Sequence, residues 1–263
     1  MEVMALKGIN KTFEVRKGFF STAKFQALTD VNLTLNRGEI VGLVGASGSG
    51  KSTIANIILK ILKPDSGQLI YDNEDVSNIS NKELRKYRNK VQMIFQDPYS
   101  SLDPVHTVEW HVSRPLILRG IEDYRDEVIK ILEEVYVEPA ESFLRLYPHQ
   151  LSGGLRQRVY IARVLAMNPE LIIADEPTSM LDASIKAGII ELLMEMLEKR
   201  NLSILYITHD LSTVYHASDR IYVIHNGKIV ESGNTNDVVE HPYDEYTKAL
   251  IKSTPDPYRR IGE

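Results

Sequence analysis

The chain has 263 residues, 43% of them hydrophobic and 25% charged, a balance that suits a folded globular protein of one large or two small domains. It contains no cysteine, which excludes disulfides, thiolate zinc sites and iron–sulfur clusters. Its 31 basic and 36 acidic residues leave a net charge of −5, against the basic excess that nucleic-acid binding calls for, and no apolar run approaches the ~18–20 residues of a membrane span.

In chain order, the apolar run Val3-Met4-Ala5-Leu6 opens a segment that ends in the aromatic Phe13, and 16–24 reads as a loop or hairpin tip. Residues 27–35 alternate apolar and polar, the pattern of a half-buried strand. After the turn Asn36-Arg37-Gly38-Glu39, the β-branched run 40–44 enters Gly45-Ala46-Ser47-Gly48-Ser49-Gly50-Lys51-Ser52-Thr53, and the helical run 54–59 leaves it. The loop fits G-x-x-x-x-G-K-[ST] in its required context of strand, glycine loop and helix. Glycines let such a loop wrap its own amides around phosphate oxygens, and the following helix presents its positive dipole end. Lys51 then reaches the β- and γ-phosphates, and the Ser52 hydroxyl is placed for Mg²⁺.

A turn at 63–67 leads to the strand 68–71, so the N-terminal part combines a small antiparallel sheet with the nucleotide core. Residues 91–95 read as a buried strand, 96–104 as an irregular loop, and 108–167 as mostly helical. Within that stretch Val128, Ile131, Leu132 and Val135 form one apolar helix face. Leu171-Ile172-Ile173-Ala174 is a strand ending in Asp175-Glu176, a pair of acids at the strand end. Following a phosphate loop, such acids hold Mg²⁺ (Asp175) and orient or deprotonate an attacking water (Glu176). Asp182 reads as the N-cap of the next helix, and the strand 203–207 ends at Thr208-His209-Asp210. Asn226-Gly227 marks a hairpin between 220–225 and 228–232, and Pro242, Pro255 and Pro257 mark a looser tail.

Leu151-Ser152-Gly153-Gly154-Leu155-Arg156-Gln157-Arg158 is the discriminating stretch, by itself either an N-capped helix after a tight turn or a second loop-then-helix anion site. With the phosphate loop, Ser-Gly-Gly, the Asp-Glu strand end and His209 in that order, the chain resembles the ATPase subunits of ATP-binding-cassette (ABC) proteins from about Val3 to Ser232. The resemblance implies an α/β fold: a P-loop NTPase (RecA-like) core with an antiparallel β subdomain and an inserted α-helical subdomain at about 97–165. The ATPase domain would span 1–235 and a C-terminal extension 236–263. Gly45 to Thr53 would be the Walker A loop and Asp175 the Walker B acid. Glu176 would be the catalytic carboxylate, His209 the switch histidine on the γ-phosphate, and Gln96 the glutamine that meets Mg²⁺ or the attacking water. Ser152, Gly153 and Gly154 would cap ATP held by the opposite subunit, and Asp182 would close the loop that communicates between the two sites. Phe13 would stack on adenine, with Phe25 as the competitor. Leu155 stands where family members often carry glutamine.

The loop 96–104 and the tail 241–250 are similar to those of oligopeptide, dipeptide and nickel importers, the Tyr99-Ser100-Ser101 version most like the second (F-type) of their two ATPases. That branch implies an ATP- and Mg²⁺-dependent engine on the cytoplasmic face of a cell membrane, in keeping with the lack of a signal-peptide pattern. Its partners would be an identical or different second ATPase, permease subunits and, indirectly, an extracytoplasmic solute-binding protein, with no nucleic acid. The cargo stays open among peptides, oligosaccharides and nickel. A non-transport member, such as a phosphonate-degradation ATPase, is the alternative. Tyr99, Leu102 and Val105 are expected to line a partly exposed cleft for a short helix of the permease.

Overall fold

Two 15-residue strands, β1 (Glu2–Arg16) and β2 (Thr22–Asn36), pair antiparallel at the start of the chain. In β2 the expected alternation holds over its second half, where Val31, Leu33 and Leu35 are buried and Asn32 is exposed. The short strand β3 (Ile40–Val44) is buried at every position, and helix α1 (Lys51–Ile58) buries Ile54, Ala55, Ile57 and Ile58. Strands β4 (Ser66–Tyr71) and β5 (Glu74–Asp75) extend the first sheet in the order β2-β1-β4-β5, and α2 (Asn81–Lys90) follows. The computed structural model describes residues 1–16, 22–97 and 101–253, and the chain divides into two units, Met1–Leu84 with Ser203–Glu263, and Arg85–Leu202.

The second unit pairs β6 (Val91–Ile94) in parallel with β7 (Leu171–Asp175), from Val91 opposite Leu171 to Ile94 opposite Ala174. Between them lie α3 (Val108–Leu118), α4 (Arg125–Glu134), the short α5 (Ala140–Phe143) and α6 (Gly153–Leu165). The apolar face that the periodicity predicts, Val128, Ile131, Leu132 and Val135, is fully buried, together with Val108, Val112 and Ile161. Thr107 caps α3 by accepting the Trp110 N–H at 3.3 Å. Helix α7 (Ala183–Arg200) closes the unit with Ile189, Leu192, Leu193 and Met196 inward.

One expectation fails in this unit. Leu102, expected to line a partly exposed cleft, is only 1% exposed. The loop around it is held down by Arg163, whose guanidinium donates to the Ser101 carbonyl at 2.7 Å, and by a 3.0 Å contact between His111 Nε2 and the Asp103 carbonyl. Leu102 is therefore a core residue, whereas Val105 is 69% exposed. Tyr99 lies outside the described residues.

The chain returns to the first unit with β8 (Ser203–Thr208), α8 (Leu211–Ala217), β9 (Arg220–His225) and β10 (Lys228–Asn234). β3 lies between β8 and β9, parallel to both, with Val44 opposite Thr208 on one side and Val223 on the other. The β9–β10 turn has Asn226 at φ 47° and Gly227 at φ 76°, the left-handed pair that an Asn-Gly hairpin requires. The tail is more regular than its prolines suggest: α9 (Thr235–Glu240) and α10 (Glu245–Ser253) flank Pro242, while Pro255 and Pro257 lie outside the described residues. Asn234 starts α9 by accepting the Asn236 N–H at 3.0 Å, which gives the chain a cap where composition alone pointed to a loose end. Among the described residues no helix is long and apolar enough to cross a membrane.

Candidate nucleotide site

The parallel register decides what gathers at the strand ends. Because Val44 faces Thr208 and Val223, Gly45 and His209 leave their strands at the same end, level with Ile224 near the end of β9. Carboxyl ends of parallel strands are where α/β sheets place ligands. The loop after β3 then has little room for side chains. A Cβ on Gly45 would lie 2.2 Å from the Ile224 carbonyl oxygen. At Gly50 it would lie 2.8 Å from Leu28, at a φ of 114° that other residues avoid.

The N-cap of α1 is Gly50, which brings no side-chain cap, and a helix start favours an anion there. Ser49 Oγ is buried without a hydrogen-bond partner among the described residues, and it borders the space a Cβ at Gly45 would fill. These features fit a phosphate group. Lys51 is buried, and its ammonium donates to the carbonyls of Gly45 at 2.6 Å and Ala46 at 3.0 Å, which holds the cation within the loop.

His209 is exposed at the end of β8. Its neighbours are fixed: Asp210 caps α8 by accepting from Ser212 and Thr213, and its N–H donates to Thr208 Oγ1 at 3.0 Å. Burial pushes the Asp210 carboxyl up, but the hydrogen bonds from Ser212 and Thr213 outweigh it and hold the group below its ordinary value. The two candidate adenine-stacking aromatics prove to be cross-strand partners, Phe13 on β1 directly opposite Phe25 on β2. Opposed residues share one face of a sheet, so the alternatives form one aromatic patch, with Lys11 Nζ 5.7 Å from the Phe13 ring centre.

The second unit repeats the logic. With Ile94 opposite Ala174, Gln96 and Asp175-Glu176 leave neighbouring parallel strands at the same end. Gln96 Nε2 donates to Glu176 Oε2 at 3.3 Å, so the predicted glutamine and the predicted carboxylate meet. Glu176 adopts φ 46°, a left-handed conformation uncommon for a glutamate and of the kind that clusters at functional sites. The amide oxygen of Gln96 is then the atom that would serve a cation.

Ser152 is exposed and caps α6 by accepting the Leu155 N–H at 3.3 Å. Gly154 is needed for close packing, since a Cβ there would lie 2.9 Å from Ile185. Asp182 holds the N-cap position of α7 as expected, but its side chain makes no cap bond, and its carbonyl takes the Ile185 and Lys186 N–H groups instead. Sequence reasoning gave no role to Gln157. It is fully buried, and its amide nitrogen donates to the Pro177 carbonyl at 2.9 Å, tying the start of α6 to the segment after Glu176. The signal was a polar residue on the stripe shared by Gly154, Ile161 and Val164.

Among the described residues no cluster of three or more acids and histidines could form a closed metal cage. The predicted donors Ser52, Gln96 and Asp175 are hard oxygen ligands with a single carboxylate. This fits Mg²⁺, which keeps waters and shares its remaining ligands with phosphates.

The ABC transporter family model matches residues 28–179. The chain is 41% identical over 259 residues to the oligopeptide transport ATP-binding protein AppF of Bacillus subtilis, covering 96% of this chain and 78% of that one. It is 42% identical over 262 residues to the dipeptide transport ATP-binding protein DppF of Lactococcus lactis, covering 97% and 82%. A solved dimeric ATP-binding cassette, MJ0796 in a post-hydrolysis state bound to ADP and Pi, superposes with a TM-score of 0.76 at 34% identity, over 88% of this chain and 98% of that one. With a P-loop NTPase fold, a family model across more than half its length and relatives of this identity, the chain belongs to the ABC transporter family as one of its ATPases.

Proposed function

We propose that this chain is the ATP-binding and hydrolysing subunit that powers import of peptides or related small solutes through a membrane permease. In this reading it sits on the cytoplasmic face and pairs with a second ATPase subunit. The Gln96–Glu176 contact carries the mechanism, because it joins the glutamine that senses the nucleotide to the carboxylate that would activate water. The loop Gly45 to Thr53 and the ammonium of Lys51 hold the β- and γ-phosphates. Ser52, Gln96 and Asp175 would hold Mg²⁺, which would neutralise charge on the phosphate oxygens. Glu176 takes a proton from a water whose oxygen attacks the γ-phosphorus, the bond from that phosphorus to the β–γ bridging oxygen breaks, ADP and inorganic phosphate leave, and His209 steadies the γ-phosphate in flight. The patch of Phe13 and Phe25 receives adenine. Ser152, Gly153 and Gly154 cap the ATP of the opposite subunit, and Asp182 communicates between the two sites.

The domain reading follows the same lines: an ATPase domain over 1–235, a helical subdomain over about 97–165, supported by the helices α3 to α6, and an extension over 236–263. The relatives' names favour transport over phosphonate degradation and favour peptides as cargo. Glu176→Gln should bind ATP with wild-type affinity and lose about 10²–10⁴-fold in turnover. Affinity-tagged chain, extracted from membranes in mild detergent, should bring down polytopic permease subunits. Normal turnover in the variant refutes the role of Glu176, and recovery of the chain without membrane subunits refutes the transport reading.

A further inference from the structure

The C-terminal extension is built onto the phosphate loop. Glu231 on β10 is buried, and its two oxygens accept the N–H groups of Tyr243 at 3.0 Å and Asp244 at 3.1 Å. The Tyr243 hydroxyl donates to the Val230 carbonyl at 3.2 Å, and Asp244 in turn accepts the Tyr246 N–H at 2.8 Å, which starts α10. Thus anchored, Tyr246 stacks on His225, ring centres 3.8 Å apart and 25° between planes. Its hydroxyl oxygen accepts the N–H of Ala46 at 2.8 Å.

Ala46 is the second residue of the phosphate loop, and its carbonyl takes the Ser49 N–H at 3.2 Å and the Lys51 ammonium at 3.0 Å. A second tie reaches the loop from the hairpin tip, where Gly227 N–H donates to the Ser49 carbonyl at 2.9 Å. The segment between these two ties contains Gly48 at φ 79°, a residue free to take other conformations.

We infer that Tyr246 is a positioning residue for nucleotide binding: it fixes the entry of the phosphate loop, so that the loop's amides converge before a phosphate arrives. The inference rests on the reading that Gly45 to Thr53 holds the phosphates. A loop that samples other shapes binds more weakly in proportion to the time it spends in them, and a tie that removes those shapes raises affinity without touching the ligand. Tyr246 differs in this from a residue that merely packs the tail. The ring alone serves packing on His225, whereas the hydroxyl serves the loop, and phenylalanine separates the two.

The test uses the full-length chain. Tyr246→Phe should raise the KM and Kd for ATP about three- to tenfold, the effect of losing one hydrogen bond, while kcat at saturating ATP stays within about twofold. Hydrogen exchange in the peptide carrying Ala46 should quicken in the variant. Glu231→Gln, which weakens the anchor of α10 but leaves Tyr246 in place, should shift KM in the same direction. Tyr246→Phe with wild-type KM and unchanged exchange at Ala46 overturns the inference. Should Tyr246→Phe fail to fold, the unmodified protein decides, since an Ala46 amide that exchanges as fast as open loop equally overturns it. Lys51→Ala separates this failure from failure of the underlying reading. Unchanged ATP affinity in Lys51→Ala removes the loop as the phosphate site and the inference with it, whereas lost affinity there beside a silent Tyr246→Phe overturns the inference alone.

Discussion

Gly45→Ala measures how tightly the phosphate loop is built into the sheet. The added methyl would sit 2.2 Å from the carbonyl oxygen of Ile224, 2.8 Å from Ser49 Oγ and 3.0 Å from Ile224 Cγ2. The nearest atom belongs to the backbone of β9, which pairs with β3 and is buried at Ile224, so no side-chain rotation relieves the clash. Relief needs a shift of about 1 Å between strand and loop, and overpacking of this kind costs about 1–3 kcal/mol. In a protein of this size that lowers Tm by about 2–6 °C. On the proposed role of the loop, the same shift misplaces the amides that would face the phosphates, so ATP affinity should fall about tenfold or more. Gly48→Ala is the comparison: at φ 79° it carries a conformational cost of about 1–2 kcal/mol, but a Cβ there meets nothing within 4 Å. Thermal unfolding with and without Mg²⁺-ATP, together with equilibrium ATP titration, reads both variants. If Gly45→Ala matches wild type in Tm and affinity, or if Gly48→Ala proves the more damaging in both, the packing account of this loop is wrong.

Ser152→Arg on a Glu176→Gln background should leave ATP binding by the monomer largely intact and abolish ATP-driven association, and a dimer peak on sizing chromatography with ATP refutes it. His111 is fully buried, and burial pushes its imidazole below the ordinary value of 6.5, with Arg163 and His106 lowering it further and the Asp103 carbonyl and carboxylate opposing. The folded protein thus holds His111 neutral, and its contribution to stability is complete above pH 6.5 and declines as pH falls below that value. The acid limb of a stability–pH curve should flatten by up to one proton, about 1.4 kcal/mol per pH unit, in His111→Gln, and an unchanged limb refutes this. Leu102→Ala should destabilise the isolated chain by about 2–5 kcal/mol in urea unfolding, and Val105→Ala should change it by less than about 0.5 kcal/mol. Equal effects in the two variants refute the assignment of Leu102 to the core.

What could be read from the sequence was what a few neighbouring residues decide. The phosphate loop packs its spacing, its glycines and its flanking strand and helix into one short stretch, so its place between β3 and α1 is legible. So are the apolar stripe of α4 and the left-handed turn at Asn226-Gly227. The burial of Leu102 is not legible locally, because the contacts that hold its loop down come from Arg163 and His111 on helices further along the chain. Phe13 and Phe25 stayed competitors because only the strand register reveals that they are partners. Tyr246 was invisible as a loop contact, since its acceptor and its donor lie 200 residues apart.

The position of β3 has a consequence for how the protein is made. Its two neighbours, β8 and β9, follow it by roughly 160 residues or more, which at about 5–20 residues per second is on the order of ten to thirty seconds of synthesis. The hairpin of β1 and β2, by contrast, can close as soon as it leaves the ribosome, because its partners are adjacent in the chain. A nascent chain therefore carries β3, apolar at every position but one glycine, without its partners until the second unit has been translated. The nucleotide loop is among the first functional segments to be made and among the last to acquire its shape, so slow translation or a late truncation would leave a sticky strand exposed where a catalytic edge should be.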